Sequence, residues 1–256
     1  MASQRDTVID QFSRQAVPFS TAAPIRDAGA LGRIVAASGA GPDDVVLDVA
    51  CGPGLVACAF ARAVRHVVGI DVTPAMLARA REVAQGQQVT NVEWHCGDVT
   101  PLPFADGSFT VVVSRFAFHH FPEPAAVLAE MRRVCRPGGR VVVVDLLASP
   151  DPAKAAAFHR MEVLRDPSHA RALPLTELRA LFPGEGLPPP QEILYGMDVE
   201  LDAVLARSFP APGSAPEIRR LFEEALADDG FGLALRRDGG RIWFTYPVAI
   251  LVSTIA

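Results

Sequence analysis

Strand and helix patterns alternate along the middle of the chain, and this alternation restricts the possible folds more than any other feature. Five short apolar runs have the length of buried strands: 45–49, 66–70, 92–95, 109–113 and 141–144. Helical patterns separate them, and the one that opens at Pro124 is expected to end at Pro137-Gly138-Gly139. Strands that alternate with helices form βαβ units with parallel strands. We therefore predict an α/β fold around a parallel sheet.

The remainder of the chain has a different pattern. Three segments carry apolar residues at helical spacing: 152–164, 176–182 and 216–228. Two runs, 193–199 and 242–253, have strand character. Pro247 predicts a bend or bulge in the second run, because proline cannot donate a ladder hydrogen bond.

Composition and charge argue against several classes of protein. The net charge is −5 and no basic run is present, so we expect no nucleic-acid partner. Lys154 is the only lysine, which excludes a G-K-S/T phosphate loop and leaves a single candidate for a pyridoxal lysine. The four cysteines form no C-x-x-C pair, which favours a reduced protein without structural zinc. We find neither a signal-peptide core nor an apolar run of the ~18 residues that a membrane span needs, so we expect a cytoplasmic protein.

A glycine-rich turn follows the first strand, and carboxylates end three successive strands. Asp48 lies at the end of the first strand, before Gly52-Pro53-Gly54, where the backbone can approach a ligand closely. Asp71 ends the second strand about twenty residues later, and Asp98 follows the third. An amine, a ribose and an adenine suit these carboxylates, whereas no Arg or Lys in the turn compensates a pyrophosphate. Each aspartate taken alone is equally well explained as a turn residue.

At these residues the chain resembles the class I S-adenosylmethionine-dependent methyltransferases, and within them the group related to ubiquinone and menaquinone C-methyltransferases. The resemblance covers most of residues 40–150 and rests on these segments: Val46 to Gly54, Gly69-Ile70-Asp71, Gly97-Asp98, Leu102-Pro103-Phe104, Ser108-Phe109 and Arg136-Pro137-Gly138-Gly139. It implies a Rossmann-like three-layer sandwich. The expected sheet is seven-stranded and mostly parallel, with an antiparallel C-terminal strand and a helical lid or insert.

The resemblance also implies a single domain with four parts. These are an N-terminal helical cap at 1–40, a cofactor-binding core at 41–150, acceptor-side helices with a lid at 151–240, and a final strand at 241–256. The implied cofactor is S-adenosylmethionine, the product is S-adenosylhomocysteine, and no metal is expected.

The resemblance assigns cofactor contacts residue by residue. Gly52 and Gly54 are expected to face the methionine part, and Asp71 to hold the ribose. Asp98 and Val99 are expected to hold the adenine. The expected site is completed by Asp48, Ala50, Cys51, Val72, Met76, Gly97, Ser114 and Arg115.

Candidates for catalysis lie after the fourth strand and after the fifth. Open α/β sheets bind ligands beyond the carboxyl ends of strands, which places His119 and His120 near the transferable methyl group. A neutral imidazole there can take a proton from an acceptor, or both rings only cap the next helix or bond the backbone. The segment Arg165 to His169 is either a helix end with a turn or a lid over the substrate.

Roughly a hundred residues follow the fifth strand, and long additions to compact domains are usually functional. We predict that the helices at 152–164 and 216–228 wall a mostly apolar acceptor pocket. Histidines would supply its polar groups, and an arginine or aspartate would hold the lid closed. The predicted catalytic set is His119, His120, Arg165, Asp166 and His169.

Four activities are compatible with the sequence. The favoured one is methyl transfer to a small-molecule acceptor at an O, C or N atom. The second is a non-methylating enzyme of the same fold, such as a cyclase that uses the sulfonium electrostatically. An NAD-dependent oxidoreductase, suggested by Gly52-x-Gly54, and a non-catalytic S-adenosylmethionine-binding protein are the others. A monomer and a homodimer both fit.

Overall fold

The computed structural model describes residues 3–256 of the chain. The helices of the described residues are α1 Gln4–Thr21, α2 Ala28–Ser38, α3 Leu55–Ala61, α4 Pro74–Gly86, α5 Pro124–Val134, α6 Pro152–Arg165, α7 Leu175–Gly184, α8 Leu201–Ser208 and α9 Ser214–Ala225. The strands are β1 Val45–Val49, β2 His66–Asp71, β3 Val92–Cys96, β4 Phe109–Arg115, β5 Cys135–Leu146, β6 Gln191–Glu200, β7 Arg236–Asp238 and β8 Arg241–Thr254. A single 3-10 turn, Phe118–His120, follows β4.

The strands form one sheet in the order β3-β2-β1-β4-β5-β8-β6, with β7 paired to β8. Strands β1 to β5 are parallel, and β8 runs antiparallel to β5, β6 and β7. The predicted mostly parallel sheet with an antiparallel C-terminal strand is confirmed, and the three-residue β7 is an addition to the seven predicted strands. The chain direction across the sheet reverses between β1 and β4. Ligands of open α/β sheets bind beyond the carboxyl ends of strands at such a switch point.

Alternate residues of the central strands divide the core into two clusters. Val46 and Val142 point to the face that packs against α2, α3, α6, α8 and α9. Leu47 and Val143 point to the opposite face, which α5 and α7 cover. Strands that are apolar on both faces are characteristic of a parallel sheet with helices on each side. The three-layer sandwich therefore follows from the two-residue period of the buried strands.

Helix α1 begins with a capping box and packs against two helices that are far apart in the sequence. Ser3 caps it, since its Oγ accepts from the Asp6 N–H at 3.1 Å while the Asp6 carboxylate accepts from the Ser3 N–H at 3.2 Å. The helix packs against α4 and α8. It therefore connects α4, which follows β2, with α8 in the C-terminal part of the chain. Within residues 3–256, no helix combines the length and apolar character needed to cross a bilayer.

The junction of α5 and β5 differs from the prediction. Helix α5 ends at Val134, and Pro137-Gly138-Gly139 lies in the first part of β5 instead of stopping the helix. A Cβ at Gly139 would lie 2.9 Å from the carbonyl oxygen of Thr110, and the pairing of β4 with β5 shifts register between Phe109 and Val111. Gly139 allows β4 and β5 to approach each other closely. The sequence pattern that predicts a helix end does not reveal this role. Helix α8 was not predicted either, because its eight residues are too few to show a clear period.

Of the bend or bulge predicted at Pro247, the bulge is wrong. Pairing of β8 with β6 runs without interruption from Gln191 to Glu200, and Pro247 lies opposite Gly196. The Pro247 carbonyl accepts from the Leu147 N–H at 2.8 Å, one residue beyond the end of β5. Since N–H and C=O of a residue face the same neighbour in an antiparallel ladder, the missing N–H faces a position where β5 has ended. The strand therefore tolerates the proline without a shift in pairing.

Candidate active site

A cavity of about 380 Å³ lies beyond the carboxyl ends of β1, β2, β3 and β4. Residues that follow these strands form most of its wall, and α1 supplies the rest through Val8, Phe12 and Phe19, among others. A volume of this size is typical of a small-molecule site. The cavity coincides with the switch point of the sheet, so the topology alone marks it as a candidate ligand site.

Most of the predicted cofactor-binding residues meet in this cavity. Ten of them line it: Asp48, Ala50, Cys51, Gly52, Asp71, Val72, Met76, Asp98, Val99 and Arg115. The other three predicted residues, Gly54, Gly97 and Ser114, are not part of the wall.

Gly54, Gly97 and Ser114 need a different explanation. Gly54 has φ of +75°, and a Cβ there would lie 2.5 Å from the Trp94 ring, so this glycine permits a tight turn packed on an aromatic ring. Gly97 continues the pairing of β3 with β2, donating its N–H to the Asp71 carbonyl at 3.1 Å. Ser114 is fully buried within β4. Gly54 therefore has a packing role, and its contact with the methionine part stays a prediction.

Asp71 joins the two turns that border the cavity. Its Oδ2 accepts from the Gly52 N–H at 2.8 Å, and its Oδ1 accepts from the Thr73 N–H at 2.8 Å. Burial raises the pKa of this carboxyl, and the two backbone hydrogen bonds oppose the rise. The side chain thus fixes the glycine turn relative to the start of α4 while it remains in the cavity wall.

Asp48 and Arg115 form a separated pair of opposite charges in the wall. Asp48 Oδ2 accepts from the Ala57 N–H at 3.0 Å, while burial, supported by the charge of Asp71, raises the pKa of Asp48 to about 8. Arg115 Nη1 donates to the Ile25 carbonyl at 2.9 Å. Its buried Nε and Nη2 have no hydrogen-bond partner among the residues described. A buried guanidinium in the wall favours an anionic ligand group, and a cationic ligand group would favour the ionised form of the buried Asp48 carboxyl.

Two backbone conformations in the wall are strained. Ala50 and Phe116 have φ of +54° and +56°, values that residues with a Cβ adopt at a cost of about 1–3 kcal/mol. Both residues line the cavity, and the Arg115 guanidinium lies 4.2 Å above the Phe116 ring. The strain is therefore located where the chain turns from β1 and β4 into the candidate site.

His120 is the member of the predicted catalytic set that lines the cavity. Its Nδ1 lies 3.0 Å from the Ser168 carbonyl oxygen. Because a carbonyl can only accept, Nδ1 carries the proton and Nε2 carries a lone pair. Burial, together with the neighbouring His119, lowers the pKa of His120 to about 4, so the ring is neutral at pH 7.

The other predicted catalytic residues lie behind His120 and do not line the cavity. His119 Nδ1 is 2.6 Å from Asp145 Oδ1, at the end of β5, and its ring centroid is 4.2 Å from that of His120. His169 is buried with its Nδ1 4.0 Å from Glu162, and burial lowers its pKa to about 3. Arg165 pairs with Glu162 at 2.5 Å. His119 and His169 therefore do not line this cavity, and their contact with the acceptor stays a prediction.

The predicted acceptor wall is also corrected. No residue of α6 or α9 lines the cavity. Phe158 of α6 packs on Tyr246 at 6.1 Å between ring centroids, and Phe222 of α9 packs on Phe244 at 4.9 Å. The apolar faces of these helices pack against β8, on one face of the sheet. The wall comes instead from α1, whose Val8, Phe12 and Phe19 follow helical spacing, a signal that the sequence contained.

Further lining residues were not predicted as site residues. Beside α1 they come from the turn before α3, the loop after β3 and the segment from the end of β4 into α5: Pro53, Leu55, Val56, Thr100, Phe116, Ala117, Phe121, Pro122, Glu123 and Val127. They flank predicted residues in the sequence, but nothing in their type distinguishes them. Within the part of the chain that the structure describes, no group of three His, Cys, Asp or Glu side chains is arranged to hold a metal.

Comparisons with known proteins show the family to which the chain belongs. The methyltransferase domain family matches residues 47–143. The chain is 30% identical over 246 residues to the uncharacterised methyltransferase YcgJ of Bacillus subtilis, covering 95% of this chain and 97% of the relative. The crystal structure of YcgJ superposes with a TM-score of 0.82 and 27% identity, covering 89% of this chain and 98% of that one. The chain belongs to the S-adenosylmethionine-dependent methyltransferases.

Two more distant similarities were also found. Over 116 residues the chain is 34% identical to the ubiquinone/menaquinone biosynthesis C-methyltransferase UbiE of Roseobacter denitrificans, covering 44% of this chain and 46% of the relative. The crystal structure of the [4+2]-cyclase SpnF superposes with a TM-score of 0.61 at 17% identity, covering 89% of this chain and 80% of that one. At that identity the likeness to SpnF shows the fold alone.

Proposed function

We propose that this methyltransferase methylates a small, mostly apolar molecule at an O, C or N atom, and that His120 takes the proton that the acceptor loses. The observation that carries the proposal is the placement of His120. It is a neutral imidazole with a lone pair on Nε2, in the wall of the cavity that also holds the cofactor-type carboxylates. A positioned base of this kind contributes typically ~10²–10⁴-fold to a rate.

The charges of the wall fit the amino-acid end of S-adenosylmethionine. Asp48, once ionised, suits its ammonium group, and the positive charge of Arg115 suits its carboxylate. Asp71 and Asp98 are the candidates for the ribose hydroxyls and the adenine amino group. When bound, this cofactor supplies an electrophilic methyl group on a sulfonium. The protein's own contribution is to hold the acceptor in line and to exclude water, which can supply ~7–11 kcal/mol of the barrier reduction.

The rest of the wall favours an uncharged acceptor. Phe12 contacts His120 edge to face at 4.9 Å between ring centroids, and Phe121 and Val127 continue the apolar surface. Arg5 and Arg115 are the cationic arginines among the lining residues that the structure describes. Arg5 already pairs with Asp98 at 3.5 Å, and Arg115 is assigned to the cofactor. A phosphorylated acceptor would therefore lack a partner for its charge.

Replacement of His120 tests the proposal. His120→Ala should lower turnover by ~10²–10⁴-fold, because it removes a positioned base. The affinity for S-adenosylhomocysteine, measured by calorimetry, should stay within about threefold, since no cofactor contact is assigned to this ring. His66→Ala is the matched control, because His66 is a half-exposed histidine away from the cavity and should keep full turnover. Full turnover of His120→Ala would show that the ring is structural.

A further inference from the structure

Behind His120 lies a chain of hydrogen bonds that the sequence did not indicate. Ser168 Oγ donates to Asp166 Oδ1 at 2.5 Å and lies 3.1 Å from His120 Nδ1. Ser168 and Asp166 are almost completely buried, and neither lines the cavity. The Ser168 hydroxyl has a single proton, and that proton is used on the carboxylate. Ser168 Oγ can therefore only accept from His120, as its carbonyl oxygen does at 3.0 Å.

From this geometry we propose that Ser168 and Asp166 are positioning residues for His120: they fix the tautomer that leaves Nε2 as the base, and they stabilise the ring once it is protonated. The inference rests on the proposed function, in which His120 accepts the proton of the acceptor. Without the Ser168 acceptors, the proton of the neutral ring is free to reside on either nitrogen.

The charges around the ring are consistent with this role. Burial opposes ionisation of Asp166, but His120, Arg165 and the hydrogen bonds from Ser168 and Gln15 together lower its pKa to about 2, so the carboxylate stays charged. The other titratable groups near His120 are His119 with Asp145 behind it, and His169, whose ring centroid lies 6.4 Å away. One hydroxyl therefore separates the imidazole from a permanent negative charge.

The first helix completes the arrangement. Gln4 Nε2 donates to the Ser168 carbonyl at 2.8 Å, and Gln15 Nε2 donates to Asp166 Oδ2 at 3.1 Å. The two glutamines are eleven residues apart, which is about three helical turns, so they lie on one face of α1. The helix that walls the cavity thus also holds the 166–168 segment against His120.

The proton and electron balance of the step is simple. As the acceptor attacks, its bond to hydrogen breaks and the proton moves to His120 Nε2. The electron pair of the acceptor forms the new bond to the methyl carbon, and the pair of the broken carbon–sulfur bond stays on sulfur. The Nδ1 proton of His120 remains bonded to Ser168 throughout, so the imidazolium forms opposite the Asp166 carboxylate.

Two substitutions with one matched control test the inference. Ser168→Ala and Asp166→Asn should each lower kcat by roughly 10- to 100-fold, the size expected for a lost hydrogen bond to a charged group. The affinity for S-adenosylhomocysteine and the KM of the acceptor should change by less than about threefold. Ser208→Ala is the control, because Ser208 is equally buried and contacts Arg165 without touching His120, so its kcat should be unchanged.

A spectroscopic measurement separates positioning from a merely structural role. The ¹⁵N shifts of His120 in the native protein should show a proton on Nδ1. Asp166→Asn should move the pH titration of these shifts to lower pH, because the negative charge opposite the imidazolium is lost. If His120→Ala abolishes turnover while Ser168→Ala and Asp166→Asn keep kcat within twofold and leave the ¹⁵N shifts unchanged, the positioning role is refuted and the proposed base survives. If His120→Ala keeps full turnover, the proposed base itself fails. If Ser168→Ala destabilises the protein, Asp166→Asn decides the test, because it preserves side-chain size.

Discussion

Asp48 and Arg115 show how single buried ionisable groups select a ligand. Neither residue has an ion-pair partner among the described residues, although both lie in the cavity wall. Leaving a buried charge uncompensated is costly, and a zwitterion that meets both groups removes that cost. The affinity for the cofactor's amino-acid part is therefore tied to the ionisation of Asp48.

A pH dependence of binding follows from the raised pKa of Asp48. The carboxyl is mostly neutral below its pKa of about 8, whereas an ammonium group favours the charged form. Binding at pH 6.5 should therefore release close to one proton, and the affinity for S-adenosylhomocysteine should fall by up to about tenfold per pH unit from pH 7 to 5. Calorimetry in two buffers of different ionisation enthalpy measures the release. Asp48→Asn should bind more weakly and release no proton; equal release by both proteins would refute the assignment.

At the scale of elements, the turns after β1 and β2 act as one unit because Asp71 accepts a hydrogen bond from each. Asp71→Ala should lower the affinity for S-adenosylhomocysteine at least tenfold, since a hydrogen bond to a charged group is worth ~1.5–3 kcal/mol. It should also lower the melting temperature, because it leaves the amides of Gly52 and Thr73 without acceptors. Calorimetry and thermal unfolding measure the two effects. A lower melting temperature with unchanged cofactor affinity would make Asp71 a turn residue only.

The elements also show what the sequence could and could not predict. The strands, the glycine turn and the carboxylates at strand ends were predictable, because each depends on residues adjacent in the chain. The periods of α6 and α9 predicted buried faces but not their partner, and the partner is β8 instead of the cavity. The contacts of His120 with Ser168 and of Asp166 with Gln15 join residues 48 and 151 positions apart. Such pairs are created by the fold, and no local pattern marks them.

At the scale of the whole molecule, the candidate site lies at the carboxyl edge of the sheet, and the apolar core lies on its two faces. Both faces are covered by helices and filled with apolar side chains. The carboxyl edge at the switch point remains open, and α1 borders it through Gln4, Arg5 and Val8, among others. In the function proposed above, α1 and the segment after β4 define the acceptor pocket. Differences in acceptor between relatives of this family are therefore expected in those two segments.

Transfer of label from methyl-labelled S-adenosylmethionine is the most direct test of methylation of a small apolar acceptor. The protein is incubated with this cofactor and the small-molecule fraction of a cell extract, and the products are separated by mass and polarity. Label should enter an apolar, uncharged compound of low mass, with one S-adenosylhomocysteine formed for each methyl group transferred. His120→Ala should reduce both products in parallel. Conversion of an extract compound that requires the cofactor but acquires no label would contradict methyl transfer and establish non-methylating chemistry on this fold.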